Sequence, residues 1–365
     1  MSEMTASTTP RLRLPKVPSR LDLRRGAWIP LGLLVCMVAF LQAVSPQLLG
    51  YADASTISAS AATLALAAIG ETIVVLVGGL DLSVGAVISL VNVVLVTQLG
   101  TAQLSTPVYG LLAIAISLGL GAGIGAINGF LVGYVRLQSI IVSLATMFVA
   151  QGAALLILKY PGGEFSYDFS MLLVGDAIPN LLPSPVVVIA VALAIWLYLK
   201  ATRLGLGFYA IGSDETAAVS NGVSAPGSRF WSFVLAGAFY GAAGLFVTAN
   251  SGSGDPLIGN AMLLKVFAAV VLGGTIIGGG RGGAVGSVIG AFILTILVNI
   301  FLILGIRTYY VPIVEGIVLV LAVLGFSRLR DLPAWEFLRV TGNSGRDRPR
   351  RFLGGLPARA SAGAV

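Results

Sequence analysis

The sequence has no histidine and a single cysteine, Cys36, among its 365 residues. Without histidine the chain lacks the commonest general base, proton relay and metal ligand of proteins, which argues against most enzyme and metal-site interpretations. A lone cysteine cannot form a disulfide within the chain, so it carries no information about the redox compartment. The nucleotide-binding pattern G-x-x-x-x-G-K-[ST] is also absent, so any ATP-driven activity requires a separate ATPase.

Charged residues are scarce as well. They make up 10% of the chain, against 57% hydrophobic residues, and the mean hydropathy is +0.97. This balance is far from that of a soluble globular domain and is typical of a protein that lies in a bilayer. Glycine is abundant, with 47 residues. Such a glycine content suits helices that pack backbone against backbone in lipid.

The formal net charge of +7 does not predict a nucleic-acid partner, because of where the charges lie. Basic residues concentrate in two tails, 1–26 and 328–365, and in short loops. Short basic segments beside apolar helices mark the cytoplasmic side of a membrane protein. We therefore expect both termini in the cytoplasm, both tails largely disordered, and membrane lipid around the domain between them, 27–327.

Apolar runs of about 20 residues are long enough to cross a bilayer as helices, and on that rule the chain has ten. The fold class is therefore all-α, a polytopic integral membrane protein. Most basic loop residues fall in loops that this count places inside, and most acidic ones in loops that it places outside. The spans lie near 27–45, 54–78, 83–99, 107–134, 139–158, 185–200, 230–250, 262–279, 284–304 and 309–327.

Two loops are long. In the inner loop, 201–229, Ser213 and Asp214 form a cap pattern, and Asn221 with Gly222 forms a stop, which predicts a short helix outside the bilayer. The outer loop, 159–184, contains the run Pro161-Gly162-Gly163 and three acidic residues. It is either an ordered cap or a flexible loop, and the sequence does not decide between them.

The chain also contains two segments with weak similarity to each other. "VVLVGGLDLSVGAVISLV" from 74 is similar to "VVLGGTIIGGGRGGAVGSVIGAFIL" from 270, and each joins two spans through glycines. The two units are six spans apart, so a repeat would be parallel. Transporters are often built from such repeats, although a short match between glycine-rich helices also arises by chance.

Four motifs occur in one order along this topology, and together they are far more specific than any one alone. They are "GGLDLSVG" (78–85), "GAGIGAINGFLV" (121–132), "YAIGSDETAA" (209–218) and "AAVVLGGTIIGGGRGGAVGSVIGA" (268–291). In these motifs the chain resembles the ribose-type ABC transporter permeases, over roughly residues 30–327.

The resemblance implies the membrane-spanning subunit of a bacterial ABC importer in the inner membrane, usually one for a monosaccharide. It implies a periplasmic binding protein, ATPase subunits and a second permease, either another copy or a homologue. ATP and magnesium would be bound by the ATPase, with no metal or cofactor on this chain. It also favours an ATPase-coupling role for the loop helix, at residues Ser213, Asp214, Glu215, Ala217 and Ala218.

The chain departs from the family pattern in several places, two of which involve reversed charges. Lys265 stands where the family usually has an acidic residue, and Glu315 where it often has a lysine. We hypothesise that these two residues pair within the membrane, because intramembrane charges usually find partners. The alternative is that Lys265 reaches the outer headgroups and Glu315 faces water.

Four polar residues in or beside spans are candidates for lining the translocation path: Glu71, Asp81, Ser83 and Asn128. Each also has a structural interpretation. Asp81 or Ser83 would cap the amino end of the third span, since lipid cannot satisfy its amides. Glu71 would hydrogen-bond to a neighbouring helix, and Asn128 would join two helices.

Gly121, Gly125 and Gly129 recur every four residues on one face of the fourth span, and Gly273 and Gly274 lie within the eighth. No strand precedes the first set, so a dinucleotide site is a poor explanation. We expect all five to serve close helix packing.

Three rival functions remain. An ion-coupled secondary transporter would use the intramembrane charges as its coupling set. An intramembrane enzyme finds no catalytic constellation in the sequence. A permease for nucleosides or another small polar solute is separated from a sugar permease only by the resemblance.

Overall fold

The computed structural model describes residues 20–44, 50–100, 102–305, 307, 310–314, 316–317 and 320. Most residues of the two predicted tails lie outside this part of the chain, and so does more than half of the tenth predicted span, 309–327. The described helices are α1 (Arg20–Val44), α2 (Tyr51–Leu76), α3 (Val84–Leu99), α4 (Thr106–Gly133), α5 (Ser139–Ile157), α6 (Tyr167–Val174), α7 (Ser184–Ala201), α8 (Arg203–Ser213), α9 (Glu215–Ser220), α10 (Ala225–Ser251), α11 (Met262–Leu272) and α12 (Ala284–Ile303). Two short strands, β1 (Asp176–Ile178) and β2 (Leu182–Pro183), pair antiparallel.

The predicted all-α class is confirmed, and each of the first nine predicted spans contains a helix. Among the described residues, six helices are long and apolar enough to cross a membrane: α2, α4, α5, α7, α10 and α12. Shorter apolar helical stretches occur at Pro30–Ala43, Val84–Leu99 and Met262–Leu272. The count of ten crossings stays a prediction.

Helix α2 lies at the centre of the bundle. In an apolar stretch of 18 residues of α2, 94% of the residues are buried. The corresponding share in α5 is 22%, so α5 lies at the periphery. Small residues explain the central position: the run Ala59–Ala68 contains six alanines, all buried. Helices with small side chains allow their neighbours to approach closely in lipid. Helices α7, α10, α11 and α12 all pack against α2.

Helices α4 and α10 are in close backbone contact. The predicted packing residues of α4 and their partners on α10 are Gly121 against Gly237, Gly125 against Phe233 and Gly129 against Phe230. A Cβ added at any of the three α4 glycines would lie 2.0–2.5 Å from a carbonyl oxygen of α10. No side chain larger than hydrogen fits these places without a shift of the helices.

The eighth crossing is built differently from the prediction of a helix over 262–279. Helix α11 ends at Leu272, because glycines in left-handed conformations follow it, starting at Gly274. At 1.5 Å per residue its 11 residues span roughly 16 Å, about half of a bilayer core. The segment before it, 252–261, runs along α3, where Ser253 and Gly259 bond to α3 side chains, and its Gly254 and Gly259 are buried.

Gly273 and Gly274, which we predicted to pack helices, have different roles. Gly273 packs against Gly286 of α12, where a Cβ would lie 2.3 Å from the backbone. Gly274 lies in the turn after α11 with φ of 83°, a conformation that favours glycine, so it ends the helix.

The two glycine-rich breaks of the predicted repeat, 77–83 and 273–283, meet in space. The Gly280 N–H donates to the Leu76 carbonyl oxygen at 2.9 Å, across the end of α2. Helix α8, which the sequence did not predict, packs through Gly212 on the last residue of α2, where the first break begins, and on Gly279 and Gly280 of the second break. The breaks and the loop 202–224 therefore lie on one side of the bundle, which we name the loop side.

The segment 159–184, whose order the sequence left undecided, contains α6 and the β1–β2 hairpin. Gly162 bridges to Gly254 through two backbone hydrogen bonds of 2.9 Å, and Tyr51 donates to Asp176 at 2.5 Å. Ser166 caps α6 by accepting from the Phe169 N–H. These contacts make it an ordered cap over the opposite side of the bundle.

Candidate functional site

Glu71 lies at the centre of a buried polar network. Its side chain is fully buried in α2, and Oε2 accepts a hydrogen bond from the Tyr240 hydroxyl of α10 at 2.6 Å. Oε1 accepts from the Asp81 backbone N–H at 3.2 Å. One carboxylate thus joins α2 to α10 and to the break before α3. Of the two interpretations that the sequence left open, this geometry supports a hydrogen bond to a neighbouring helix.

Asp81 extends the network towards α4 and α5. Its Oδ1 accepts from the Ser83 N–H at 2.9 Å and from the Ser83 hydroxyl at 2.5 Å. Asn128 of α4 donates to Ser83 Oγ at 3.2 Å, and Thr146 of α5 donates to Asn128 Oδ1 at 2.5 Å. The polar contacts therefore run through five segments of the fold.

The predicted capping of the third span by Asp81 or Ser83 is wrong in its details. Ser83 is the N-cap of α3, but its side chain makes no capping hydrogen bond, and Asp81 binds the Ser83 N–H rather than an amide of the first turn. The physical reason is that Asp81 folds the break itself. It closes a local turn, as aspartate often does ahead of a helix.

The structure thus brings all four path candidates together, but it buries them. Glu71 and Asn128 are 0% exposed, and Asp81 and Ser83 are 1% exposed. In this conformation they bind each other rather than water. Tyr240 and Thr146 belong to the same network, and we did not identify either from the sequence. In the sequence each is only a hydroxyl-bearing residue in an apolar run. Many membrane helices contain such residues, so the pattern does not predict a network.

A second polar cluster surrounds the other half of α3 and was also missed. The Asn92 amide donates to Thr248 Oγ1 at 2.9 Å and to the Ser253 carbonyl oxygen at 3.1 Å, and its Oδ1 accepts from the Asp255 N–H at 2.7 Å. Ser89, one helical turn earlier, accepts from the Gly259 N–H at 2.9 Å. These side chains satisfy the backbone of segment 252–261, which forms no helix.

The resulting arrangement is a column of polar groups along α3. One end holds the network of Glu71 and Asp81, and the other holds Asn92 with the non-helical backbone of 252–261. In membranes, irregular backbone is tolerated only where protein buries it or a cavity receives it. Transporters place their substrate sites at such interrupted segments.

The loop side presents helix α9 to the solvent. Asp214 is its N-cap and accepts from the Ala217 N–H at 3.0 Å. Glu215 forms an ion pair with Arg229 of α10. Ser213, Asp214, Glu215 and Ala217 are exposed, but Ala218 is buried against Ile211 and Ala225. Ala218 is therefore an anchor of α9 rather than a part of its outer surface.

Helix α8 connects α9 to the glycine breaks. A Cβ at Gly212 would lie 1.9 Å from the Leu76 carbonyl oxygen, so α8 touches the end of α2 directly. The Tyr209 hydroxyl donates to the Gly282 carbonyl oxygen at 2.9 Å. Burial raises the pKa of Tyr209 to about 12, which keeps this donor protonated at neutral pH. A displacement of α9 would therefore reach both breaks through α8.

Lys265 of α11 is half-buried and lines a cavity of about 210 Å³ together with Ser60, Thr295 and Asn299. Glu315, its hypothesised partner, lies outside the described residues. The pairing of these two residues stays a prediction.

The chain matches, over residues 54–323, the family model described as branched-chain amino acid transport system / permease component. It is 34% identical to the ribose import permease protein of Escherichia coli strain K12, over 80% of this chain and 90% of that protein. The chain belongs to the ribose-type permeases of ABC transporters. This permease is also 34% identical to the ribose import permease protein of Bacillus subtilis strain 168, over 82% of this chain and 91% of that protein.

A sugar other than ribose appears among the relatives of this permease. It is 30% identical to the fructose import permease protein of Bifidobacterium longum strain NCC 2705, over 88% of this chain and 96% of that protein. No solved structure shows a significant match. Family membership and the apolar helices make this permease a multi-pass membrane protein.

Proposed function

We propose that this permease is the membrane-spanning subunit of an ABC importer that moves a monosaccharide into a bacterial cell. Its relatives are named for the import of ribose, fructose and allose. In the proposed complex, a periplasmic binding protein delivers the sugar, two ATPase subunits supply energy, and a second permease, identical or homologous, completes the membrane part. ATP and magnesium are bound by the ATPase.

In this proposal the loop side faces the cytoplasm, and both termini lie there. Arg136, Lys200, Arg203, Arg229 and Arg281 all belong to the segments that we assign to the inside. Such a bias towards basic residues is the main sequence determinant of membrane orientation. The ordered cap of α6, β1 and β2 then faces the periplasm, where a binding protein would dock.

The column of polar groups along α3 is the proposed route of the sugar. Sugars carry hydroxyl groups that need hydrogen-bond partners when they leave water. Asn92, Ser89 and the backbone of 252–261 would offer such partners from the outer side, and Asp81 and Asn128 from the inner side. Because these groups now bind each other, transport requires a conformational change that frees them.

The observation that carries the coupling part of the proposal is the contact of α8 with the end of α2, where the first glycine break begins, and with the second glycine break. An ATPase that moves the exposed helix α9 would move α8, and α8 has no free space at Gly212. The movement would shift the ends of α2 and α11, which flank the polar column. Packed interfaces respond in this way by switching between discrete arrangements.

The proposal is tested by sugar uptake into proteoliposomes that contain the permease, its ATPase and its binding protein, with ATP supplied or withheld. Ribose, fructose and allose are compared. We expect accumulation of one of them only with ATP, and its loss in Glu215→Arg while the complex still assembles. Thr216→Ala changes a neighbouring exposed residue of α9 without altering charge and serves as the matched control.

Other results would redirect the assignment. Accumulation driven by a proton or sodium gradient without ATP would replace the importer with a secondary transporter that uses the buried carboxylates. ATP-dependent uptake of a nucleoside, with no sugar accumulated, would keep the ABC mechanism and change the substrate class.

A further inference from the structure

A cavity on the loop side is lined by two arginines and is not part of the polar column. Its volume is about 240 Å³, and Arg136, Arg229, Gly79, Ser139 and Phe233 are among the residues that line it. It lies where the turn between α4 and α5 meets the start of α10 and the first glycine break. None of the described residues that line the cavity is acidic.

Arg136 lines this cavity and has no partner among the residues that the structure describes. Its side chain is exposed, and it makes no hydrogen bond or ion pair with them. Its backbone has φ of 62°, a left-handed conformation that is strained for a residue with a side chain. Arg229 has a partner, Glu215, but that carboxylate is 47% exposed and lies outside the cavity lining.

The cavity would complement an anion. Two guanidinium groups can bind one phosphate through several hydrogen bonds, because their donors match its oxygens. The cavity also includes Ser139, the first residue of α5, and the cap residue Gln138 makes no side-chain hydrogen bond to this helix end. The first amides of a helix add a partial positive charge.

A cluster of aromatic rings beside the cavity favours a lipid as the source of such a phosphate. Phe130, Tyr134, Phe230 and Trp231 form a chain of ring contacts beside the two arginines, with centroids 5.4–5.9 Å apart. Phe130, Tyr134 and Trp231 are about half exposed. Tyrosine and tryptophan concentrate at the depth of lipid headgroups, so this cluster marks the membrane surface.

We propose that this cavity binds the phosphate of an anionic phospholipid headgroup, held by Arg136 and Arg229. The aromatic cluster lies against the acyl-chain boundary of the same lipid. The lipid would also compete with Glu215 for Arg229, which connects headgroup binding to the start of α10 and to α9. This inference does not depend on which solute the permease carries.

The test measures lipid binding to the purified permease in detergent by native mass spectrometry, with phosphatidylglycerol and phosphatidylcholine as probes. We expect phosphatidylglycerol to remain bound and phosphatidylcholine to be lost. Arg136→Gln should weaken binding about tenfold or more, as expected when a charge-assisted hydrogen bond is removed. Arg136→Lys should retain part of it, and Arg203→Gln, which removes an arginine of the same side outside the cavity, should change nothing.

Two further variants distinguish the role of the Arg229 side chain from that of its ion pair with Glu215. Glu215→Gln removes the carboxylate that competes for Arg229, so lipid binding should persist or become stronger, whereas Arg229→Gln should weaken it. Equal retention of both lipids, or unchanged binding in Arg136→Gln, would overturn the proposal. So would displacement of the lipid by inorganic phosphate at the same concentration, since the cavity would then prefer a free anion.

Discussion

Gly212 of α8 and Leu76 of α2 are in backbone contact, so close that a Cβ on Gly212 would lie 1.9 Å from the Leu76 carbonyl oxygen. The same carbonyl accepts the Gly280 N–H at 2.9 Å. One point of the backbone thus joins the loop helices to both glycine breaks. A movement of α8 must therefore displace the end of α2, the second glycine break, or both.

Gly212→Ala should therefore impair coupling. The added methyl group meets backbone atoms on two sides, and overpacking of this kind costs about 1–3 kcal/mol. We expect a lower thermal midpoint in detergent and a loss of ATP-driven uptake. Gly119→Ala, where a Cβ meets no atom within 4 Å, controls for the loss of a glycine. Normal uptake by Gly212→Ala would show that α8 does not transmit the motion.

Helix α4 offers a matched pair for the packing of glycines. Gly125→Ala would place a Cβ 2.2 Å from the Phe233 carbonyl oxygen, while Gly123→Ala meets nothing within 4 Å. We expect the first to lower the thermal midpoint and the second to leave it unchanged or raise it, because alanine favours helix by up to about 1 kcal/mol. Equal effects of the two changes would contradict the close contact of α4 with α10.

The Glu71–Tyr240 hydrogen bond is suited to a double-mutant cycle. Tyr240→Phe removes the donor, Glu71→Ala removes the acceptor, and each leaves a buried polar group without its partner. Hydrogen bonds between membrane helices contribute about 0.6 kcal/mol on average and up to about 1.7 kcal/mol. We expect the double variant to be more stable than the sum of the single changes predicts, in unfolding titrations with sodium dodecyl sulfate. Strict additivity would mean that the two groups do not interact.

Asn92 is expected to be the most sensitive polar residue of α3. Asn92→Ala leaves the Ser253 carbonyl, the Asp255 N–H and Thr248 without that partner, at about 1–3 kcal/mol for each group that stays buried and unsatisfied. Both sugar uptake and the thermal midpoint should fall. Thr97→Ala, in an exposed position bonded only to its own helix, should be silent. An active and stable Asn92→Ala permease would remove segment 252–261 from the proposed route.

Asp214 tests whether the order of α9 matters for transport. Asp214→Ala removes the N-cap at a cost of about 1 kcal/mol, and Asp214→Ser restores a capping oxygen. We expect faster hydrogen exchange at Ala217 and reduced ATP-driven uptake in the first variant, and recovery of both in the second. If uptake were lost equally in both variants, the carboxylate itself, rather than the cap, would be required.

Local features of the chain could be predicted because their causes are local. Apolar run length predicted helices at nine of the ten spans, and the Ser-Asp pattern at 213–214 predicted α9. The four-residue spacing of Gly121, Gly125 and Gly129 predicted a packing face, since that spacing puts them on one side of a helix. Family membership followed from motifs in their order along the chain.

Other features could not be predicted, because they depend on partners distant in sequence. Tyr240 lies 169 residues from Glu71, and Asn92 lies 163 residues from Asp255. The half-helical eighth crossing was missed because hydropathy measures only how apolar a segment is. It does not show that side chains of α3 can supply hydrogen bonds to a backbone that is not helical. Helix α8 was missed because glycines inside a segment favour a loop prediction, and the contacts that stabilise this helix are with residues distant in sequence.

The sequence by itself determined that this protein is a helical membrane permease of a known type. Lipid requires an apolar side chain at nearly every position of a span, and this requirement can be checked residue by residue. Tertiary structure alone decided that Glu71, Asp81, Ser83 and Asn128 bind one another, and that the loop helices rest on both glycine breaks. Hydrogen bonds and backbone contacts require defined distances between specific atoms, and only the packed fold supplies those distances.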